Sequence, residues 1–466
     1  MKVNQKVLVR GGTLVLGQVV IRGDLLIQGE RILAVGELPA ISPDVIIEAE
    51  NMLVLPGAID THVHFNDVFM GTISVHDYYT GTLAAAYGGV TSLIDFSNQV
   101  PGKSLMSTLE QKHGEADGLP LVDWGVHPVI TQPTQETISE IPALIEAGAP
   151  TIKCYMTYQD EGLMLGIDEL LLVSEKLKNI GGMLLVHAEN NVILQEALSS
   201  TLGAGLVEPI YHLKSRPKEA ENKAIRDCVQ IARKTGGRIF IVHMSSADGI
   251  DIVAQARAEG LDVIAETCTH YLVFTDQWLM RDDGLKWICS PPIRDRKNQD
   301  QLWISLQDKR VSMVTSDDAA YMWEAKLFGA HRFDLCPNGL PGIEPRFNIL
   351  YSEGVAKNRL SLSRFVELVS STPAKLFGLW PKKGNLFPGA DADVIIFNPN
   401  RNWVMGQETL HMATDYSSYE NIPITGKIEK VLSRGEIIID GDKCLAEKGR
   451  GQYLHRVLDL TIPASI

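Results

Sequence analysis

Between residues 52 and 316, eight short apolar runs alternate with helix-like stretches, and that rhythm leaves very few folds open. The runs are MLVLPGAID (52–60), VTSLIDF (90–96), VDWGVHPVI (122–130), PTIKCYM (150–156), MLLVHA (183–188), RIFIVHM (238–244), LDVIAE (261–266) and RVSMVTS (310–316). Amphipathic segments such as IDELLLVSEKLKNIG and ENKAIRDCVQIARKTG separate several of them. Strands that alternate with helices pair in parallel, because each return needs a crossover. Eight such units over about 320 residues predict an α/β fold of the (β/α)8 TIM-barrel type. An open doubly wound sheet has the same rhythm, but no glycine-rich phosphate loop follows the first run.

The two ends of the chain have a different texture. KVLVRGG, QVVIRGDLLIQGERILAVG and DVIIEAENMLVL are short β-type runs with glycine or polar turns between them. ADVIIFNPN and TGKIEKVLSRGEIIIDGD repeat that style near the other end. One smaller β-sandwich domain built from residues 1–55 and 380–445 is the economical reading, with the barrel at 56–379 and a tail at 446–466. Tyr453, Leu454 and Val457 give that tail enough apolar surface to dock, on a neighbour or on its own chain.

Composition narrows the function classes. Lys+Arg 43 against Asp+Glu 57 leaves a net charge of −14, the opposite of the basic face that binds nucleic acid. Plain solubility accounts for that charge. No apolar run approaches the length of a membrane span, and MKVNQKVLVRGG has no apolar core of a signal peptide. The six cysteines contain no CxxC pair, so they read as reduced thiols in a cytoplasmic protein.

Reactive groups in such a barrel sit where strands end. Run one ends in Asp60-Thr61-His62-Val63-His64, and residues two apart on a strand face the same way, so both imidazoles can aim at one point. Run four carries Lys153, run five ends at His187, run six at His243 and run eight at Asp317. Singly, each is an ordinary core residue. Together, four histidines, a lysine and an aspartate converge on one mouth.

Imidazole and carboxylate donors suit zinc. Six ligands exceed what one catalytic zinc takes and match two divalent ions sharing a hydroxide. An ammonium cannot ligate a cation, but a desolvated lysine loses its proton. Its neutral amine could then add carbon dioxide and become a carbamate (N6-carboxylysine) that bridges the ions.

The stretch Pro56-Gly57-Ala58-Ile59-Asp60-Thr61-His62-Val63-His64 resembles the signature of the amidohydrolase superfamily. The dihydropyrimidinase/hydantoinase branch is resembled by His64-Phe65-Asn66-Asp67, Gly88-Gly89-Val90-Thr91, Lys153-Cys154-Tyr155-Met156-Thr157-Tyr158, Cys289-Ser290-Pro291-Pro292-Ile293-Arg294 and Pro337-Asn338-Gly339. The resemblance implies that His62 and His64 bind one metal, His187 and His243 the second, and carboxylated Lys153 bridges both. Asp317 would ligate the first metal and act as the base. Tyr158 would stabilise the oxyanion, and Ser290 and Asn338 would hold a cyclic amide or imide. Without the resemblance, Tyr158 could be a core aromatic, Ser290 a loop residue and Asn338 a turn former.

One position departs from the branch, which usually has a histidine directly after the catalytic aspartate. Here Asp318 stands there. Two adjacent carboxylates either repel, raising an apparent pKa, or point to opposite faces so that Asp318 pairs elsewhere. Of the other histidines, His270 after run seven is the best candidate to support the ligands from behind. Arg294-Asp295-Arg296-Lys297 reads as a solvated loop face.

The implied reaction is hydrolytic ring opening of a hydantoin or 5,6-dihydropyrimidine to an N-carbamoyl amino acid by a metal-bridging hydroxide. Allantoinase- or dihydroorotase-like activity is the nearer alternative, although no arginine follows His64 to meet an anionic substrate. A non-catalytic assembly protein is the remoter one, since such relatives lose ligands and all six are present. The resemblance also implies a homotetramer. Loops at 65–76, 155–162 and 319–345 would set ring substituent and enantiomer, with Met70 shaping the pocket for the exocyclic group.

Overall fold

The computed structural model describes residues 5–38 and 41–464. The ends of the expected terminal segments, 1–4 and 465–466, lie outside the described residues. In chain order, β1 (Lys6–Leu16), β2 (Val19–Gln28), β3 (Arg31–Gly36), β4 (Val45–Glu48) and β5 (Leu53–Pro56) lead into β6 (Ala58–Val63). A two-stranded hairpin, β7 (Val68–Phe69) and β8 (Thr72–Ile73), follows. Next come β9 (Val90–Asn98), β10 (Asp123–Val129), β11 (Thr151–Tyr155), β12 (Met183–His187), β13 (Ile239–Ile241), β14 (Val263–Cys268) and β15 (Met313–Thr315). The last strands are β16 (Val394–Met405), β17 (Ile422–Ser433), β18 (Glu436–Asp440) and β19 (Lys443–Cys444).

All eight internal runs are strands of one parallel sheet, in the order β15-β14-β13-β12-β11-β10-β9-β6. Its two ends meet through a parallel bridge between Val63 and Asp318, where the His64 amide donates to the Asp318 carbonyl at 2.8 Å. The sheet therefore closes on itself as a TIM barrel. Every residue of β6, β10, β11 and β12 is buried, as expected of strands covered on both faces. The outer layer follows helical periodicity. In the helix Lys218–Thr235, Ala220, Ala224, Ile225, Cys228, Val229 and Ala232 are buried, while Glu219 and Glu221 sit in its first turn and Arg233 and Lys234 in its last.

Among the described residues, the remaining nine strands form one mixed sheet, ordered β19-β18-β17-β16-β5-β1-β2-β3 with β4 beside β1. Both termini build it: β5 and β16 pair antiparallel. Val9, Leu14, Ile27, Val54, Ile396 and Leu432 belong to its own apolar cluster. The apolar run at 52–60 is thus two strands, β5 in this sheet and β6 in the barrel. Gly57 makes the crossing possible, because a Cβ there would lie 2.2 Å from Thr91 Oγ1 and 2.9 Å from Asp393 Cβ.

Two features tie the parts together. Lys383, buried, reaches Asp123 at 2.8 Å, Asp391 at 3.1 Å and Asp393 at 2.8 Å, linking the start of β10 to the segment before β16. The tail lies on its own chain: the Trp124 amide donates to the Gln452 carbonyl and the Leu454 amide to that of Trp124. Arg456, fully buried, donates to the Val126 carbonyl at 2.6 Å. Val457 stays exposed. Among the described residues, no helix is long and apolar enough to cross a membrane.

Candidate functional site

The barrel closure brings the strand ends to one mouth. His62 lies within β6 and His64 one residue beyond it, with ring centroids 5.4 Å apart. Both Nε2 atoms face the same carboxylate oxygen, Asp317 Oδ1, at 3.0 and 3.6 Å. His187 closes β12, and its ring lies 4.5 Å from that of His243, which follows β13. The His243 ring is in turn 5.3 Å from that of His62. One donor atom each from His62, His243 and Asp317 lie within 4.8 Å of one another. Lys153, at the centre of β11, is fully buried, and its Nζ lies 4.8 Å from the ring centres of both Phe96 and Tyr155.

Three of these groups are held in strained backbone. His243, Asp317 and Tyr158 have φ of 37°, 51° and 64°, a region that side chains with a Cβ seldom enter. Such strain costs about 1–3 kcal/mol per residue and persists where the surroundings impose it. Here Tyr158, His243 and Asp317 follow the ends of β11, β13 and β15, where the chain leaves the barrel.

The electrostatics follow from burial in a mouth of mixed charge. Burial holds His187 and His243 well below the ordinary imidazole range, helped by the charge of Lys153. Burial also works against charge on His64, yet hydrogen bonds to Asp317 and Asp67 push it up to about 9. Burial would raise Asp317, but His62, His64 and His243 hold it well below the usual carboxylate range. Burial pushes Lys153 down to about 8 against the pull of Asp317 and Glu266. Among the described residues, Lys153 Nζ and His243 Nδ1 are buried without a hydrogen-bond partner.

A ring of carboxylates behind the histidines fixes their tautomers, and sequence reasoning passed over most of it. Glu266 Oε1 sits 2.5 Å from His62 Nδ1 and accepts the His243 amide at 3.1 Å. Asp67 Oδ2 takes His64 Nδ1 at 3.0 Å, and Glu189 Oε2 takes His187 Nε2 at 2.8 Å. Arg216 closes that last chain on Glu189 at 2.5 Å. Glu266 was legible as the final residue of run seven. Glu189, two residues past His187, had the same strand spacing as His62 and His64. Such partners orient a ligating ring and make it more basic.

Tyr158, Ser290 and Asn338 line one cleft with His64, His187, His243 and Asp317. Phe69, from the hairpin, meets the Tyr158 ring edge to face at 4.9 Å, and the Arg216 guanidinium lies 5.2 Å from its centre. Asn338 Nδ2 is 3.5 Å from the Tyr158 hydroxyl. Among the described residues, the Ser290 hydroxyl is buried without a hydrogen-bond partner.

Asp318 points away from the cleft. Its Oδ2 pairs with His76 Nδ1 at 2.8 Å, and its Oδ1 accepts the amides of Gly342 and Ile343 at 2.7 and 3.1 Å. Of the two readings of this departure, pairing elsewhere is the one observed. His270 is buried against Tyr271 with neither ring nitrogen hydrogen-bonded among the described residues, and it lies in a second donor group with Cys268 and Asp317. One expectation fails: Arg294 is not on a solvated face. It is buried and ion-paired to Glu221 at 3.2 Å, and Glu221 also accepts the amides of Ser245 and Ser246 after His243.

The mouth fits divalent cations. Imidazole nitrogens of His62 and His243 and a carboxylate oxygen of Asp317 lie close enough to share one ion, and among the described residues the one amine is buried without an ion-pair partner.

A family model described as the amidohydrolase family matches residues 53–438. The chain is 37% identical over 455 residues to the D-hydantoinase of Geobacillus stearothermophilus, covering 96% of each chain. It is 38% identical over 457 residues to a D-phenylhydantoinase of Escherichia coli, covering 97% of this chain and 98% of that one. Its structure superposes on the dihydropyrimidinase of Brevibacillus agri with a TM-score of 0.96 at 35% identity, over 98% of this chain and 100% of that one.

Proposed function

The chain belongs to the amidohydrolase family, in its hydantoinase/dihydropyrimidinase branch, and from that premise we propose that it opens the ring of a hydantoin or 5,6-dihydropyrimidine by hydrolysis, giving an N-carbamoyl amino acid. The observation that carries this reading is the approach of His62, His243 and Asp317 donors to within 4.8 Å in a mouth whose lysine is buried, among the described residues, without a hydrogen-bond partner. His62, His64, His187, His243, Asp317 and Lys153 as its carbamate would hold two divalent ions, with zinc the cation these donors suit. When bound, the pair supplies a water acidic enough to serve as hydroxide near neutral pH.

The protein's own groups do the rest. Asp317, held as carboxylate by the histidines around it, takes the proton of the attacking water and delivers it to the leaving ring nitrogen. Burial raises the Tyr158 phenol, so it stays protonated and donates to the oxygen that becomes negative. Ser290 and Asn338 hold the ring's polar edge. Phe69, Tyr155 and Leu163 supply the apolar side of the cleft. Assembly as a homotetramer in the cytoplasm is part of the proposal.

The test is a panel of dihydrouracil, hydantoin, 5-substituted hydantoins, allantoin and dihydroorotate on zinc-loaded protein. Turnover of the first three classes is expected, with Asp317→Asn as an inactive control. Turnover of allantoin or dihydroorotate alone would move the chain to the neighbouring activity, and none at all would end the hydrolytic reading.

A further inference from the structure

Lys326 is fully buried, the last residue of a one-turn helix, Trp323–Lys326, outside the metal-binding set. Among the described residues it has no carboxylate within salt-bridge reach. Its ammonium instead donates to three backbone carbonyls: Ile288 at 3.1 Å, Pro337 at 2.8 Å and Gly339 at 3.0 Å. Those are all the donors an ammonium has. An unpaired buried charge is costly, so three dipoles aimed at one point are what keep it there.

The three carbonyls belong to two segments. Ile288 lies two residues before Ser290, and Pro337 and Gly339 flank Asn338. The segments also touch directly, the Gly339 amide donating to the Ile288 carbonyl at 3.0 Å. Gly339 has φ of 153°, and a Cβ there would lie 2.4 Å from the carbonyl oxygen of Ala319, two residues past Asp317. The Asn338 segment is thus pressed against the base's own loop, with little room to drift.

We infer that Lys326 is a positioning residue that sets the spacing of the Ser290 and Asn338 segments, and through it the fit of the substrate ring. The inference rests on the proposed substrate role of those two residues. A guanidinium could not replace it, because its planar fork does not match three carbonyls arranged around a point. Lys326→Met keeps the length and removes all three donors. It is expected to raise KM by about tenfold while kcat and zinc content stay near wild type. Amide exchange in segments 286–290 and 336–340 should quicken.

Unchanged KM with unchanged exchange would overturn the inference, as would loss of zinc with a fall in kcat at constant KM. Should Lys326→Met fold poorly, Lys326→Ala with added n-propylamine takes its place. A KM lowered by the amine supports the clamp, and a KM indifferent to it refutes it. If the wild-type enzyme opened no cyclic amide, the functional reading would fall on that result, and the exchange measurement would still decide the clamp.

Discussion

Two lysines are equally buried in this molecule and are treated in opposite ways. Lys383, at the junction of barrel and small sheet, is surrounded by Asp123, Asp391 and Asp393, whose charges raise its pKa further above its ordinary value than burial lowers it. Lys153, at the barrel mouth, has no ion-pair partner among the described residues, and burial pushes it down to about 8. The first can only be an ammonium, and its work is to hold two sheets together. The second is readily an amine, and an amine reacts with carbon dioxide. Burial alone therefore says nothing of a lysine's role. The acceptors in contact with it decide, carboxylates for Lys383 and backbone carbonyls for Lys326.

Removing each lysine is the sharpest way to break that contrast. Lys153→Ala should lose zinc and lower turnover by on the order of 10³-fold or more, with the fold retained by circular dichroism. Activity near wild type would remove the mouth lysine from the chemistry. Within the mouth, Tyr158→Phe should lower kcat by about 10²-fold at unchanged zinc content, because one oxyanion donor is lost. A fall in zinc would place the phenol with the ligands instead.

Lys383→Met should do the reverse. Asp393 would lose its cation, while Asp123 keeps Arg434 and Asp391 keeps Arg31, at a cost of about 3–5 kcal/mol in unfolding free energy, while kcat/KM of the folded fraction holds. Denaturant titration measures the first and initial rates the second.

The smallest effect concerns pH. Burial, with the charge of Arg216, pushes His212 down to about 3 from 6.5, and its Nε2 donates to the Cys289 carbonyl at 2.8 Å. Below pH 6.5 the unfolded chain binds a proton there that the folded chain refuses, so this site makes stability fall as pH drops toward 3. His212→Gln keeps a donor and removes the titration. It should lessen the acid loss of stability by up to about 1.4 kcal/mol per pH unit in that range, read from Tm between about pH 7 and pH 5.

How much of this was legible in the sequence follows from where the information lies. Eight alternating runs define a barrel because strand period and crossover geometry are local matters, and His62 with His64 could be read from a spacing of two. Lys153, His187, His243 and Asp317 could be singled out because a barrel gathers strand ends. Pairings that skip across the chain left no such trace. Asp318 with His76, Arg294 with Glu221 and Lys383 with its three aspartates join residues 242, 73, 260, 8 and 10 positions apart. Nothing in the local pattern marks them. The run at 52–60 misled in its own way, since an apolar run does not show that a glycine inside it hands the chain from one sheet to another.

The chemistry at the mouth comes down to whether Lys153 becomes an anion between two cations. Incubating the apoprotein with zinc and 13C-bicarbonate, then recording carbon NMR beside a metal analysis, tests this directly. Two zinc ions per chain and one carbamate resonance, absent from Lys153→Ala, are the expected result. Zinc-replete, active protein with no labelled carbon on Lys153 would contradict the account.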